Sequence, residues 1–172
     1  GGFPRVIKEI FSNSKTVIDR FHVQKLINKN LNQIRLKLEL KGLKNKNLLM
    51  TTQSKLNALE ELELELILQT SPILRIAHEL KEDILKIYNS NITPSQAIKK
   101  MKTWLTSARI ILGDAAQTLS IHLEGICNYF KNRTTSGVTE GLNTRIKLIL
   151  RQSYGFKNFD MMRAKLLVCL FK

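Results

Sequence analysis

Apolar positions recur every three or four residues through most of the chain, and that spacing predicts a mainly helical protein. Val6, Ile7, Ile10 and Phe11 predict a short helix over 4–11, with Pro4 suited to its first turn. The turn cluster Ser12-Asn13-Ser14 follows. The β-branched run Lys15-Thr16-Val17-Ile18 then predicts a brief strand that ends at Asp19. Val23, Ile27, Leu31, Ile34 and Leu38 share one face of a helix expected over 20–41, with Gly42 as its stop.

The middle of the chain reads as a series of helices. Residues 54–68 alternate Leu and Glu in a way that imitates a strand, but Leu and Glu are strong helix formers and a helix is expected. Ser71-Pro72 reads as N-cap and first helical residue of a helix running to Asn89-Ser90-Asn91. Thr93-Pro94-Ser95-Gln96 reads as a capping box opening the next, through Ala97, Met101, Leu105 and Ala108. Gly113-Asp114 breaks the chain before a helix expected over 115–130. A polar linker from Lys131 to Gly137 leads to a helix over 138–152 that turns Leu142, Ile146, Ile149 and Leu150 inward. A last helix starts near Asn158.

Composition narrows the function. The 172 residues are 43% hydrophobic and carry 28 Lys and Arg against 14 Asp and Glu, a net charge of +14. This excess favours a polyanionic partner, with nucleic acid first. The helix from Arg20 contributes Lys25, Lys29, Arg35, Lys37 and Lys41 against Glu39 alone, a cationic polar face. No apolar run approaches the roughly 18 residues of a membrane span, so no membrane association is expected. Two cysteines and three scattered histidines build neither a disulfide framework nor a zinc site, and a cytoplasmic protein is the default. The opening Gly1-Gly2-Phe3-Pro4, with a core-like pattern at once behind it, reads as a piece of a longer protein.

No nucleophile motif and no phosphate-binding glycine loop can be matched. The acids remain. Glu60, Glu61, Glu63 and Glu65 read as a solvated helix face, and Met101, Trp104 and Leu105 as helix-packing core. Asp19, at the end of an expected strand, and Glu140, beside glycines in a stretch rich in basic and hydroxyl residues, stand out by context. Such carboxylates can hold hard divalent cations for phosphoryl transfer on DNA, although two are too few for a full site. Ordinary capping explains each equally: Asp19 for the helix that follows it, Glu140 for the first turn of its own.

Longer strings carry a resemblance. Val17-Ile18-Asp19-Arg20-Phe21-His22-Val23, Tyr129-Phe130, Arg133-Thr134-Thr135-Ser136-Gly137-Val138-Thr139-Glu140-Gly141-Leu142-Asn143, Ile146-Lys147 and Arg151 through Phe159 resemble the C-terminal part of DDE transposases of bacterial insertion sequences, the ISL3 group. Ala77-His78-Glu79-Leu80-Lys81 and the Trp104 region resemble the same family's segment between its second and third acids. Ser136-Gly137 stands where the family often has Asn-Gly.

The resemblance implies a mostly α chain holding a truncated ribonuclease-H-like α/β core with a large helical insertion. Residues 1–41 would be partial core, 42–130 the insertion, and 131–172 the C-terminal core helices. Asp19 would be the second acid of the catalytic triad and Glu140 the third. The first would lie upstream of Gly1, so the piece is expected to be inactive alone. The implied reaction is DNA strand cleavage and strand transfer with Mg2+ or Mn2+ held by Asp19 and Glu140. His22 would support the Asp19 side, and Arg133, Arg145, Lys147 and Arg151 would meet DNA phosphates. Transposon ends and target DNA are the implied partners, within a homo-oligomeric transposition complex. The alternative is a non-catalytic, basic helical module for DNA binding or assembly.

Overall fold

The computed structural model describes residues 16–133 and 137–170, and within the helix after 137 the side chains of 138–140 are left aside. The helix expected over 4–11 therefore lies outside the described residues. Among them there are nine α-helices, one short 3-10 turn and no strand. The mostly α expectation holds. The helices are α1 (Arg20–Lys37), α2 (Leu43–Met50), α3 (Ala58–Gln69), α4 (Pro72–Asn89), α5 (Pro94–Leu112), α6 (Asp114–Ile121), α7 (Leu123–Asn132), α8 (Gly137–Gln152) and α9 (Phe159–Leu170). Two compact units divide the chain, Gly1–Thr134 and Thr135–Lys172.

In the first unit, the paired helices α4 and α5 form the centre; α1 packs on α4, while α6 and α7 pack on α5. Local chemistry sets the starts of these helices. Ser71 Oγ accepts from the amide of Leu74, and Thr93 and Gln96 make a reciprocal capping box, each with Pro at the first turn, as the sequence predicts. Asn57 and Glu60 make a second such box at the start of α3, so the Leu and Glu alternation is helical. Along α4, Leu74, Ala77, Leu80, Ile84 and Tyr88 are buried, and on α5 Ala97, Met101, Trp104, Leu105, Ala108 and Leu112 meet them. The Trp104 indole N–H donates to the Leu80 carbonyl at 2.9 Å, so this large ring is buried with its polar atom satisfied.

Three expectations need correction. Helix α1 ends at Lys37, not 41. Glu39 takes a left-handed φ of 57°, the Leu40 amide donates to the Arg35 carbonyl, and the Glu39 amide to that of Leu36. This is a Schellman termination without glycine. Arg35, expected on the cationic face, is instead buried and ties the motif down by donating to the Leu40 carbonyl and to Asn32 Oδ1. Gly42, at φ 101°, then starts α2 and does not stop α1; α2 was not foreseen, and buries Leu48 and Leu49. The helix expected over 115–130 is two, α6 and α7, meeting at His122. Finally, Thr16–Asp19 has no strand partner among the described residues and lies against α7.

The second unit is α8 packed on α9. Ile149 is its buried apolar residue among those described, whereas Leu142, Leu148, Phe159, Met161, Leu167 and Val168 remain exposed. Asn158 caps α9 through Oδ1, accepting from the Met161 amide at 2.9 Å.

Candidate acids and their basic surroundings

The segment leading to Asp19 is fixed from outside. Ile18 donates its amide to the Gly125 carbonyl at 2.9 Å, and Asn128 Nδ2 donates to the Thr16 carbonyl at 3.0 Å. Both partners lie on α7. Such close approach of a chain to a helix needs a residue without a side chain. A Cβ at Gly125 would stand 3.3 Å from Ile18 Cγ1 and 3.6 Å from the Thr16 carbonyl oxygen.

Asp19 therefore arrives at a set position as the N-cap of α1. Its backbone is extended, at φ −63° and ψ 144°, and its carboxylate accepts from the Phe21 amide at 3.0 Å. The carboxylate is partly accessible. His22 is exposed; its amide donates to the Asp19 carbonyl at 3.1 Å and its ring meets Phe21 edge-on at 5.9 Å.

Beneath this end of the bundle lies an aromatic cluster. Tyr88 stacks on Phe130 at 5.4 Å, and Tyr129 meets both rings edge-on. The Tyr88 phenol is pushed well above its ordinary range, first by burial, then by Cys127 and Tyr129, and also by the charge of Asp19. Burial likewise raises the Cys127 thiol to about 11, which keeps it protonated and unreactive at neutral pH.

Two arginines lie at the same end. Arg20 Nη1 donates to Asn89 Oδ1 at 2.8 Å, and Arg133 Nη2 to the Ser90 carbonyl at 2.6 Å, so both bind the C-terminal end of α4. Arg133 also ends α7 in a left-handed conformation, φ 49°. The structure thus gathers Asp19, Arg20 and Arg133 about residues 88–90.

The other expected site residues belong to the second unit. Glu140 falls in the first turn of α8, and its side chain is outside those described. Arg145 Nη2 donates to the Cys169 carbonyl at 2.8 Å, satisfying an orphan acceptor in the last turn of α9. Lys147 and Arg151 are exposed on α8. Among the described residues no three His, Cys, Asp or Glu side chains converge on a common point. They do not by themselves compose a metal-binding set.

Sequence reasoning missed a buried polar cluster on α4. His78, Lys81 and Glu82 are 2%, 3% and 8% exposed. The Lys81 ammonium donates to the carbonyls of Leu49 at 2.8 Å and Thr51 at 2.7 Å, approaches His78 Nε2 at 3.3 Å and pairs with Glu82 at 2.9 Å. Glu82 also accepts from the Gln53 amide at 3.2 Å. The cluster bolts α4 to the end of α2. Burial, reinforced by the Lys81 charge, lowers the His78 imidazole to about 4, so it is neutral at pH 7. The signal was present: positions 78, 81 and 82 share the face of Leu74, Ala77 and Leu85, where charged residues need partners.

Comparison with known families bears on the strings around these residues. The sequence model of a family described as transposase, of the DDE type and the ISL3 group, matches residues 2–166. The chain belongs to this transposase family. No match appears among curated proteins or among solved structures. The matched range takes in Asp19 with its anchoring glycine, the Tyr129-Phe130 pair and Arg133, and the α8 residues Glu140, Arg145, Lys147 and Arg151. No helix among the described residues of this transposase is long and apolar enough to cross a membrane.

Proposed function

We propose that this transposase chain takes part in DNA strand cleavage and strand transfer, with Asp19 and Glu140 as two of its catalytic acids. Water would break a phosphodiester bond at a transposon end, releasing a 3′-hydroxyl; that hydroxyl would then attack a phosphodiester of target DNA, expelling the strand it cuts. Divalent ions, Mg2+ or Mn2+, supply activation of the attacking oxygen and neutralisation of the leaving one in enzymes of this type. The family match across both acids carries the reading. Supporting it, Asp19 is held from two sides by α7 and neighbours Arg20 and Arg133.

Within this reading, residues 1–41 and 131–172 contribute to a ribonuclease-H-like core, and 42–130 are the helical insertion. Arg133, Arg145, Lys147 and Arg151 meet phosphates. A guanidinium that gives one N–H to a carbonyl keeps its full charge and further donors, so the capping roles of Arg133 and Arg145 are compatible with that duty. His22 steadies the turn that carries Asp19. DNA is the partner, bound in a homo-oligomeric complex.

The competing reading is a basic helical module without chemistry, and the N-cap role of Asp19 is the observation that favours it. One substitution separates the two. Asn caps helices as well as Asp, so Asp19→Asn preserves the fold while removing the charge. In cells supplying the insertion-sequence ends, the Asp19→Asn transposase should lose excision by at least about a hundredfold, as expected for loss of an essential catalytic group, with its thermal midpoint unchanged. Undiminished excision would leave Asp19 as a cap alone.

A further inference from the structure

Helix α3 is apolar on two faces. Leu64 and Leu68 are buried against the first unit, while Leu59, Leu62 and Leu66 are 74%, 65% and 64% exposed. The spacing of the outer three, i, i+3 and i+7, is that of a helix-pairing seam. A helix with a single partner needs only one apolar stripe. The exposed stripe has no use in the packing described above.

The charges beside it single out an occupant. Between Ala58 and Gln69 stand four glutamates and no Lys or Arg, in a chain of net charge +14. The two that flank the stripe, Glu63 and Glu65, are held by cations from elsewhere in the same unit. Lys44 pairs with Glu63 at 2.5 Å, and the Arg75 guanidinium takes Glu65 with both terminal nitrogens, at 2.5 and 3.1 Å. The stripe is therefore edged by closed ion pairs. Phosphate-rich surfaces, whether DNA or anionic lipid, are repelled by the remaining acids Glu60 and Glu61. Two copies of this chain, by contrast, repel each other over most of their surface and least across this helix.

We infer that Leu59, Leu62 and Leu66 of α3 form a self-association surface that takes α3 of a second copy of this chain in an antiparallel, two-fold arrangement. In that arrangement Leu62 of each copy faces Leu66 of the other, and each helix meets the other's exposed leucines. One helix pair is a small interface, at the lower end of those that hold specific complexes. Association in the range of roughly 10–100 µM is expected of it.

Sedimentation velocity over roughly 1–100 µM chain, a range set by that affinity class, should show a reversible monomer–dimer equilibrium. Raising the salt should strengthen it, because screening relieves the like-charge repulsion between copies. Leu62→Glu should weaken association at least tenfold without loss of helical circular dichroism. For an independent readout, Leu62→Cys in a Cys169→Ser background should form a disulfide-linked dimer under mild oxidation, far faster than Ile110→Cys, whose position on α5 is 83% exposed. A chain that stays monomeric throughout, a dimer indifferent to Leu62→Glu, or equal cross-linking at 62 and 110 would each overturn the inference.

Discussion

The two compact units solve the problem of helix burial differently. The first buries apolar residues from all seven of its described helices and adds a satisfied polar bolt, Lys81 with Glu82, His78 and two backbone carbonyls. The second packs α8 on α9 yet leaves Leu142, Leu148, Phe159 and Leu167 in contact with water. A helix pair with so little enclosed apolar surface gains little from packing, and its helices rest on caps such as Asn158 and Arg145. Stability and candidate chemistry are thus distributed unequally: Asp19 grows from the unit with the core, Glu140 from the unit without one.

Cavity-forming substitutions test that contrast most severely. Ile84→Ala, at a site 1% exposed, should cost about 2–5 kcal/mol in urea unfolding followed by circular dichroism, whereas Ile149→Ala in α8 should cost less than about 1 kcal/mol. Equal losses would abolish the distinction. Next in size, Glu82→Ala leaves the Lys81 ammonium buried without its carboxylate and should cost about 3 kcal/mol, more than Glu61→Ala on the surface of α3, which should be nearly neutral.

A smaller effect is expected from pH. The folded state holds the His78 imidazole at about 4, below its ordinary 6.5, so the unfolded chain binds more protons between those values. The stabilisation is complete above pH 6.5 and is lost as pH falls toward 4, by up to roughly 3 kcal/mol. Unfolding free energies measured across that window should rise with pH, and His78→Leu should flatten the rise. Smallest of all, Asp19→Ala should cost about 1 kcal/mol through loss of the α1 cap, while Asp19→Asn should cost almost nothing.

Much of the first unit was legible because its signals are local. Ser71-Pro72 and the Thr93 to Gln96 box announce their helices in four residues, and the periodic apolar faces of α4 and α5 name the core directly. What escaped depends on contacts distant in sequence or on a residue in an uncommon conformation. Glu39 ends α1 in a left-handed turn that composition assigns to glycine, which shifted the expected stop to Gly42 and concealed α2. The β-branched run before Asp19 looks like a strand because its backbone is extended, but its described partner is a helix more than a hundred positions away. The site followed the same division. Asp19 and Arg133 were chosen from motif strings, while their gathering around residues 88–90 came only with the fold.

The hydrogen bond from Ile18 to Gly125 also has a bearing on biosynthesis. A ribosome releases the candidate acid early and the carbonyl that seats it late, after most of the first unit has been translated. Until α7 emerges, Ile18 lacks its acceptor and Asn128 is not yet there to hold Thr16. A nascent transposase is consequently kept from setting Asp19 in its native position, and truncated products ending before residue 125 inherit the same incapacity.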